Sequence, residues 1–363
     1  MKKKLNIAFL LTKISERGGI SRVVSILSNE LYKKNLYNIH IISFQEKDSQ
    51  GYNWNNELIF HNLVGDKVSM KKGIVKAALK SRKIINKHDI DLVISCGHLV
   101  GPLGVLSTIF KKTKLIYWSH SSFKATTSNK FRVFNEHFTA PFSNILISLT
   151  KVDEINYKKK TLARRVVQIY NPIDERLEKI NTNYNYNSKK IISVGRLTAQ
   201  KNFVLLVDVA KIVLEKHTDF SWHIFGSGED EEKIKNKIKK HNLEGRLYLK
   251  GQCNNLYDIY NDYSMMVMTS LYEGFPMTLL EGIAFKLPLV SFDIPTGPNE
   301  IINQGINGYL VEPFDIEDMA KKISILIKDE NQRQTFSASN SNYINEFNLK
   351  SIATKWTSLL EGI

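Results

Sequence analysis

The sequence predicts an α/β protein of two doubly wound domains that face a cleft, and three observations lead there. The chain has 363 residues, 42% of them hydrophobic, which is more than one core of about 100–200 residues holds. Short apolar runs alternate with helical patterns, stop at a polar stretch, and then start again. The runs are near-continuously apolar, as in the strands of a parallel sheet covered on both faces, whose ligands sit at the carboxyl ends of the strands.

In the first half, β-branched and aromatic runs place strands at 6–11, 39–44, 92–96, 114–120, 145–149 and 166–170. Helical patterns fill the gaps near 20–34, 71–87, 99–110, 131–140 and 152–160. The basic head Lys2-Lys3-Lys4 precedes only a short apolar run broken by Asn6, which reads as a buried first strand and not as a signal peptide.

The stretch Asn181-Thr182-Asn183-Tyr184-Asn185-Tyr186-Asn187-Ser188 has little to bury and is the candidate linker. Strands then recur at 190–194, 222–225, 247–250, 265–268 and 289–292, with helices near 201–216, 229–241, 276–286 and 315–328. The expected domains are 1–171 and 172–345. A tail helix within 346–363, with Trp356 and Leu360 on one face, is expected to pack back on the first domain.

No run reaches the roughly eighteen apolar residues of a membrane span. Two distant cysteines, Cys96 and Cys253, argue against a disulfide framework or a cysteine metal site and fit a reducing cytosol. Net charge is +15 and asymmetric: residues 1–171 carry 29 Lys and Arg against 11 Asp and Glu. The first half therefore faces something anionic, such as a phospholipid surface, a lipid pyrophosphate or a nucleic acid. Lys72, Lys76, Lys80, Lys83 and Lys87 fall on one stripe of the helix near 71–87, while Ile74, Ala78, Ser81 and Ile85 fall on another. That is the pattern of a core-packed helix with a solvated basic face, and equally of a contact with an anionic membrane.

The sharpest segment is Tyr272-Glu273-Gly274-Phe275-Pro276-Met277-Thr278-Leu279-Leu280-Glu281-Gly282. Gly274 permits close backbone approach to a ligand, and Pro276 suits a helix start, where amides near Phe275, Met277 and Thr278 would point at an anion or at sugar hydroxyls. Glu281 would grip ribose hydroxyls and Glu273 would face the sugar, although two glutamates at this spacing alone describe any solvated amphipathic helix.

The whole segment, Glu273 to Glu281 around Gly274-Phe275-Pro276, resembles the nucleotide-sugar signature of family 4 retaining glycosyltransferases of GT-B fold, with lipopolysaccharide and capsular hexosyltransferases sharing its wording. The resemblance implies two Rossmann-like domains, 1–171 binding acceptor and 172–345 binding donor, with donor contacts from Gly274, Phe275, Pro276, Met277, Thr278, Leu279 and Glu281. It implies that Arg196 and Lys201, after the strand at 190–194, clamp the donor diphosphate. A departing nucleotide diphosphate gains negative charge, which preordered cations or a metal must offset. Alone, the two would be ordinary cations at a helix entrance. The resemblance further implies a glycine-pair loop at Gly18 and Gly19, a histidine at His120 that contacts the transferring sugar, and close approach at Gly226 and Cys253. The stretch from Asp293 to Glu300 resembles the family loop and reads equally well as a turn and helix cap.

Gly226-Ser227-Gly228 lacks the third glycine of a dinucleotide fingerprint and precedes four acids, which disfavours a dehydrogenase. Asp89 and Asp91 mimic a manganese pair but abut a strand entrance, so no metal site is expected. The expectation is a retaining, metal-independent transferase that moves a hexose or N-acetylhexosamine from a UDP-sugar to a lipid-linked or glycan acceptor. It needs no cofactor beyond that substrate, binds no nucleic acid, and sits cytoplasmically on the inner membrane face. Alternatives are an epimerase or phosphorylase of the same fold, an inactive partner subunit, or a basic nucleic-acid-binding protein.

Overall fold

The computed structural model describes residues 4–14, 18–45, 51–126, 129–179, 184–253 and 255–363. The chain divides into two compact units, residues 1–172 with 349–363, and residues 173–348.

The first unit opens with β1 (Leu5–Leu11), α1 (Gly19–Lys33), β2 (Tyr37–Gln45), β3 (Ile59–Val64) and α2 (Met70–Lys87). It continues with β4 (Leu92–Cys96), α3 (Gly101–Thr108), β5 (Lys114–Trp118), α4 (Phe123–Thr126) and α5 (Lys130–Phe142). It closes with β6 (Ile145–Ser148), α6 (Lys151–Lys160) and β7 (Val166–Gln168). The seven strands are parallel in the order β3-β2-β1-β4-β5-β6-β7. The order reverses between β1 and β4, both almost wholly buried, which is why their sequences read as unbroken apolar runs.

The second unit runs through α7 (Glu175–Lys179), β8 (Lys190–Val194), α8 (Phe203–Lys216), β9 (Ser221–Phe225), α9 (Glu231–Lys240) and β10 (Leu247–Leu249). After β11 (Met265–Met268) come α10 (Met277–Ala284), β12 (Leu289–Phe292), β13 (Gly308–Val311), α11 (Ile316–Lys328) and α12 (Glu330–Tyr343). Its six parallel strands lie in the order β10-β9-β8-β11-β12-β13, with the reversal between β8 and β11. Leu206, Val213, Trp222, Met265 and Ile323 are among the residues of its core. Both units are doubly wound, as expected.

Three elements depart from expectation. Strand β3 has an exposed and half-buried stretch in place of clean alternation, and β13 is a four-residue edge, so neither carries a strong period. Helix α12 is polar, and its buried face includes Arg333, Ser337 and Asn340. These replace apolar burial with hydrogen bonds: Arg333 donates to the carbonyls of Ile327 and Tyr186 at 2.9 Å each, and Asn340 Nδ2 donates to that of Leu287 at 2.9 Å.

The candidate linker also differs. Residues 181–183 lie outside the described ones, but Tyr184 Oη donates to the Ser264 carbonyl at 2.7 Å and Ser188 Oγ to that of Asp262 at 2.5 Å. The second half of the polar stretch is therefore tied to its own unit. Helix α13 (Leu349–Glu361) belongs to the first unit, where fully buried Trp356 meets Trp118 edge-on with ring centroids 4.7 Å apart.

Candidate active site

A reversal of strand order leaves a crevice at the carboxyl ends of the two central strands, because the loops that follow them diverge. In the second unit these loops are Gly195–Asn202 after β8 and the segment 269–276 after β11. The β8 loop is stitched to the β9 loop, with the Gly195 amide on the Phe225 carbonyl at 3.0 Å and the Leu197 amide on that of Ser227 at 2.9 Å. Gly226 makes this possible. Its φ is +145° and a Cβ there would lie 1.8 Å from the Gly195 carbonyl oxygen, so no side chain fits.

Lys201 folds back across this loop, and a Cβ on Gly195 would lie 3.2 Å from its stem. Its ammonium reaches Glu273 Oε1 at 2.6 Å. Glu273 is in turn fixed from behind, since Thr296 Oγ1 donates to its carbonyl at 2.6 Å and Gln200 Nε2 donates to that of Tyr272 at 3.0 Å. Gly297, at φ +102°, lets the β12 loop close over Pro276, where a Cβ would stand 2.6 Å from the proline ring. Arg196 is exposed, and its guanidinium makes no ion pair or hydrogen bond among the described residues. The site thus presents one free cation beside a cation that is already half engaged.

The signature segment enters α10. Pro276 sits just before the helix and not within its first turn. The Leu279 and Leu280 amides both turn to its carbonyl, which leaves Met277 and Thr278, both half-buried, with amides that have no intrahelical carbonyl. Gly274 is half-buried in the preceding turn. Two residues expected at the donor are packing residues by their side chains: Leu279 is fully buried, and Phe275 is buried with its ring 5.7 Å from Phe347. A motif read as a string does not separate the helix face toward ligand from the face toward core.

Glu281 is buried, and Tyr260 Oη donates to its Oε2 at 2.6 Å. Tyr260, its ring tilted against Phe285 with centroids 4.9 Å apart, is a partner that sequence reasoning missed, because it comes from a 3-10 turn with no pattern of its own. Cys253 is a half-buried free thiol beyond Gly251, whose carbonyl accepts from the Gly226 amide at 2.8 Å. Gly226 and Gly251 thus join two strand ends.

Gly18, Gly19 and His120 belong to the first unit. Gly18 caps α1 and Gly19 opens it, and a Cβ at either position would meet nothing within 4 Å. Close packing within the protein therefore does not demand these glycines. His120 lies two residues past β5, which stops at Trp118 and not at the expected 120. Its ring lies 4.4 Å from that of Trp118, its Nε2 is buried with no hydrogen-bond partner, and burial pushes its pKa down to about 3. The imidazole is neutral at pH 7. His98, which follows β4 at this unit's own strand reversal, went unnoticed in the sequence. Burial and the Arg132 charge lower its pKa to about 4, and the signal was a glycine, Gly97 at φ +95°, directly after an apolar strand.

Asp91 Oδ2 accepts from the Asn6 amide at 2.8 Å, at the start of β1. Among the described residues no three His, Cys, Asp or Glu side chains are grouped to hold a metal, and no helix is long and apolar enough to cross a membrane.

Residues 174–342 match the family model described as glycosyl transferases group 1. The poly(ribitol-phosphate) α-N-acetylglucosaminyltransferase of Staphylococcus aureus is 34% identical over 184 residues, 50% of this chain and 37% of that protein. The amylovoran biosynthesis glycosyltransferase AmsD of Erwinia amylovora is 28% identical over 97% of this chain and 98% of its own. In fold, the chain matches a crystal structure of a Staphylococcus aureus TarM variant with fondaparinux, α-GlcNAc-glycerol and UDP, at TM-score 0.83 and 18% identity over 98% of this chain and 99% of that one. The chain is accordingly a glycosyltransferase of GT-B fold, and the group 1 match lies in its second unit.

Proposed function

We propose that the protein transfers a hexose or N-acetylhexosamine from a UDP-sugar to a lipid-linked or glycan acceptor at an anionic membrane surface, with retention of anomeric configuration and without a metal ion. The observation that carries this reading is the convergence of the Arg196 loop, the Lys201–Glu273 pair and the amide end of α10 at the strand reversal of the second unit. An ammonium has three N–H donors and Glu273 takes one, so Lys201 retains two for a phosphate. Arg196 adds the uncompensated charge.

In the reaction the bond from the sugar C1 to the β-phosphate oxygen breaks, and UDP leaves with the electron pair. The acceptor hydroxyl bonds to C1 on the same face, and its proton passes to the departing phosphate. Fixed cations stabilise that charge as it forms. Both carboxylates near the site are engaged, Glu273 by Lys201 and Glu281 by Tyr260, which favours cationic over metal-bridged recognition. UDP in the TarM variant structure and the N-acetylglucosamine transfer in the name of the Staphylococcus relative support the donor class. The excess of Lys and Arg in residues 1–171 supports an anionic acceptor surface, here the inner membrane face rather than a nucleic acid.

A thermal-shift panel of nucleotide sugars, each with and without chelator, tests the donor reading. A ligand at 100 times its Kd stabilises by about 2.7 kcal/mol, and a UDP-hexose response that survives chelator is expected. A response only to other nucleotides, or one abolished by chelator, overturns it.

A further inference from the structure

Helix α5 is built inside out. A surface helix normally buries its apolar stripe and shows polar residues to water. Here the buried face carries Asn135, Glu136 and Thr139, while Phe131, Phe134 and Phe142 are exposed. The buried side is held where it lies: Glu136 is fully buried and its Oε2 accepts from Tyr157 Oη at 2.9 Å, and Tyr157 shares a 2.7 Å hydrogen bond with Ser119 Oγ. The exposed side is an aromatic ladder. Phe134 and Phe138 stack with centroids 5.8 Å apart, and Phe138 meets Phe142 at 5.5 Å. Phe134 is 61% exposed, which leaves most of a large apolar side chain in water.

The ladder does not stand alone. Lys71, on α2, places its ammonium 5.5 Å from the Phe131 ring, so the two helices meet at this edge. On α2, Val75 and Leu79 are exposed one turn apart, between exposed Lys72, Lys76, Lys80 and Lys83. Arg82 ties α2 to the end of α3 through the carbonyls of Leu106, at 3.1 Å, and Ile109, at 2.9 Å. The next residue, Phe110, is 96% exposed, with Lys111 and Lys112 after it. One unit therefore carries, on α2, α5 and the α3 turn, apolar side chains interleaved with cations.

We propose that this surface seats on an anionic phospholipid bilayer, with the α5 aromatics and Phe110 entering the interfacial layer and the α2 lysines contacting headgroup phosphates. Charge selects the occupant. Apolar side chains interleaved with cations match a surface that is apolar below and anionic above. A second copy of this chain would bring the same lysines against one another and be repelled. The inference rests on the membrane reading above and deepens it, because it names the side chains that enter the lipid.

The test uses the full chain and vesicles of phosphatidylcholine with or without phosphatidylglycerol. Binding is expected only with the anionic lipid, and to fall at least about tenfold when salt is raised from about 0.1 to about 1 M, which shortens the Debye length from about 10 to about 3 Å. Phe131→Ser with Phe134→Ser should weaken binding at least about tenfold while the thermal response to a UDP-hexose stays unchanged. The native tryptophans Trp54, Trp118, Trp222 and Trp356 are buried, so Phe134→Trp supplies a distinct reporter that brominated lipid should quench. Equal binding to neutral vesicles, absence of quenching, or a concentration-dependent dimer removed by Phe134→Ser overturns the proposal. Failed vesicle binding by the unaltered chain sinks the membrane reading together with this surface, anionic-vesicle binding that survives Phe131→Ser with Phe134→Ser sinks this surface alone, and a lost UDP-hexose response with intact vesicle binding sinks the donor reading alone.

Discussion

The ammonium of Lys201 lies 2.6 Å from a carboxylate oxygen of Glu273, and the two side chains keep only 15% and 8% of their surface exposed. Removing one member of such a pair strands the other charge in a poorly solvated place. Lys201→Met should therefore lower stability by about 3 kcal/mol, the low end for a buried pair because Lys201 keeps some contact with water. The double variant Lys201→Met with Glu273→Leu should recover most of that loss and none of the transferase activity. Chemical denaturation of the four proteins of the cycle measures the coupling, and a double variant no more stable than Lys201→Met would show that the pair is not the cause.

Arg196 makes the opposite case. Its guanidinium is exposed and has no partner among the described residues, so nothing in the fold depends on it. Arg196→Ala should change stability by no more than about 0.5 kcal/mol. If the guanidinium meets the leaving diphosphate, the same substitution should cut kcat about a hundred- to a thousandfold, or about 3–4 kcal/mol of transition-state stabilisation. An unchanged rate with an unchanged melting curve would remove Arg196 from the site.

The glycines separate two uses of the same residue. Gly226→Ala drives a methyl to 1.8 Å from the Gly195 carbonyl at a φ that alanine avoids, and should cost about 3 kcal/mol or more. Gly19→Ala meets nothing within 4 Å and should hold stability within about 1 kcal/mol. Any loss of activity in Gly19→Ala then reports on a ligand and not on the fold. A melting temperature lowered as far by Gly19→Ala as by Gly226→Ala would contradict the geometry.

Most of the fold was legible because β1, β4, β11 and β12 are buried on both faces and spell apolar runs, while α12 was not, because its buried face sets Phe336 among Arg333, Ser337 and Asn340. In the second unit Arg196, Lys201 and Glu273 could be named from a strand end and a motif. Their arrangement could not: that Lys201 is tied to Glu273 while Arg196 is free follows from the fold of two loops far apart in sequence. Tyr260 was invisible for the same reason, being placed by tertiary structure and not by a local pattern, whereas His98 left one local sign, the glycine Gly97 directly after an apolar strand. Phe275 and Leu279 show the converse, in which a motif read as a string also contains residues whose side chains are buried in the core.

The histidines set the acid limit of the fold. His40, His61, His98 and His223 are lowered to about 4 and His120 to about 3, with burial as the first cause in each. Their unfolded value is near 6.5, so between about pH 6.5 and 4 the unfolded chain takes up protons that the folded chain declines. Stability must therefore fall as pH drops through this window. Glu136 acts in the other direction, since burial raises it from 4.5 to about 7 and the folded state holds its proton where the unfolded chain has released it. Five groups outweigh one, and the melting temperature should decline steadily from pH 6.5 to 4.5. Glu136→Gln should steepen that decline, because it deletes the one opposing group, and should raise stability most above pH 7, where the buried carboxylate would otherwise be charged. Melting curves at half-unit steps read both effects, and a melting temperature that stays level or climbs on acidification would mean that these imidazoles are solvated in the folded protein.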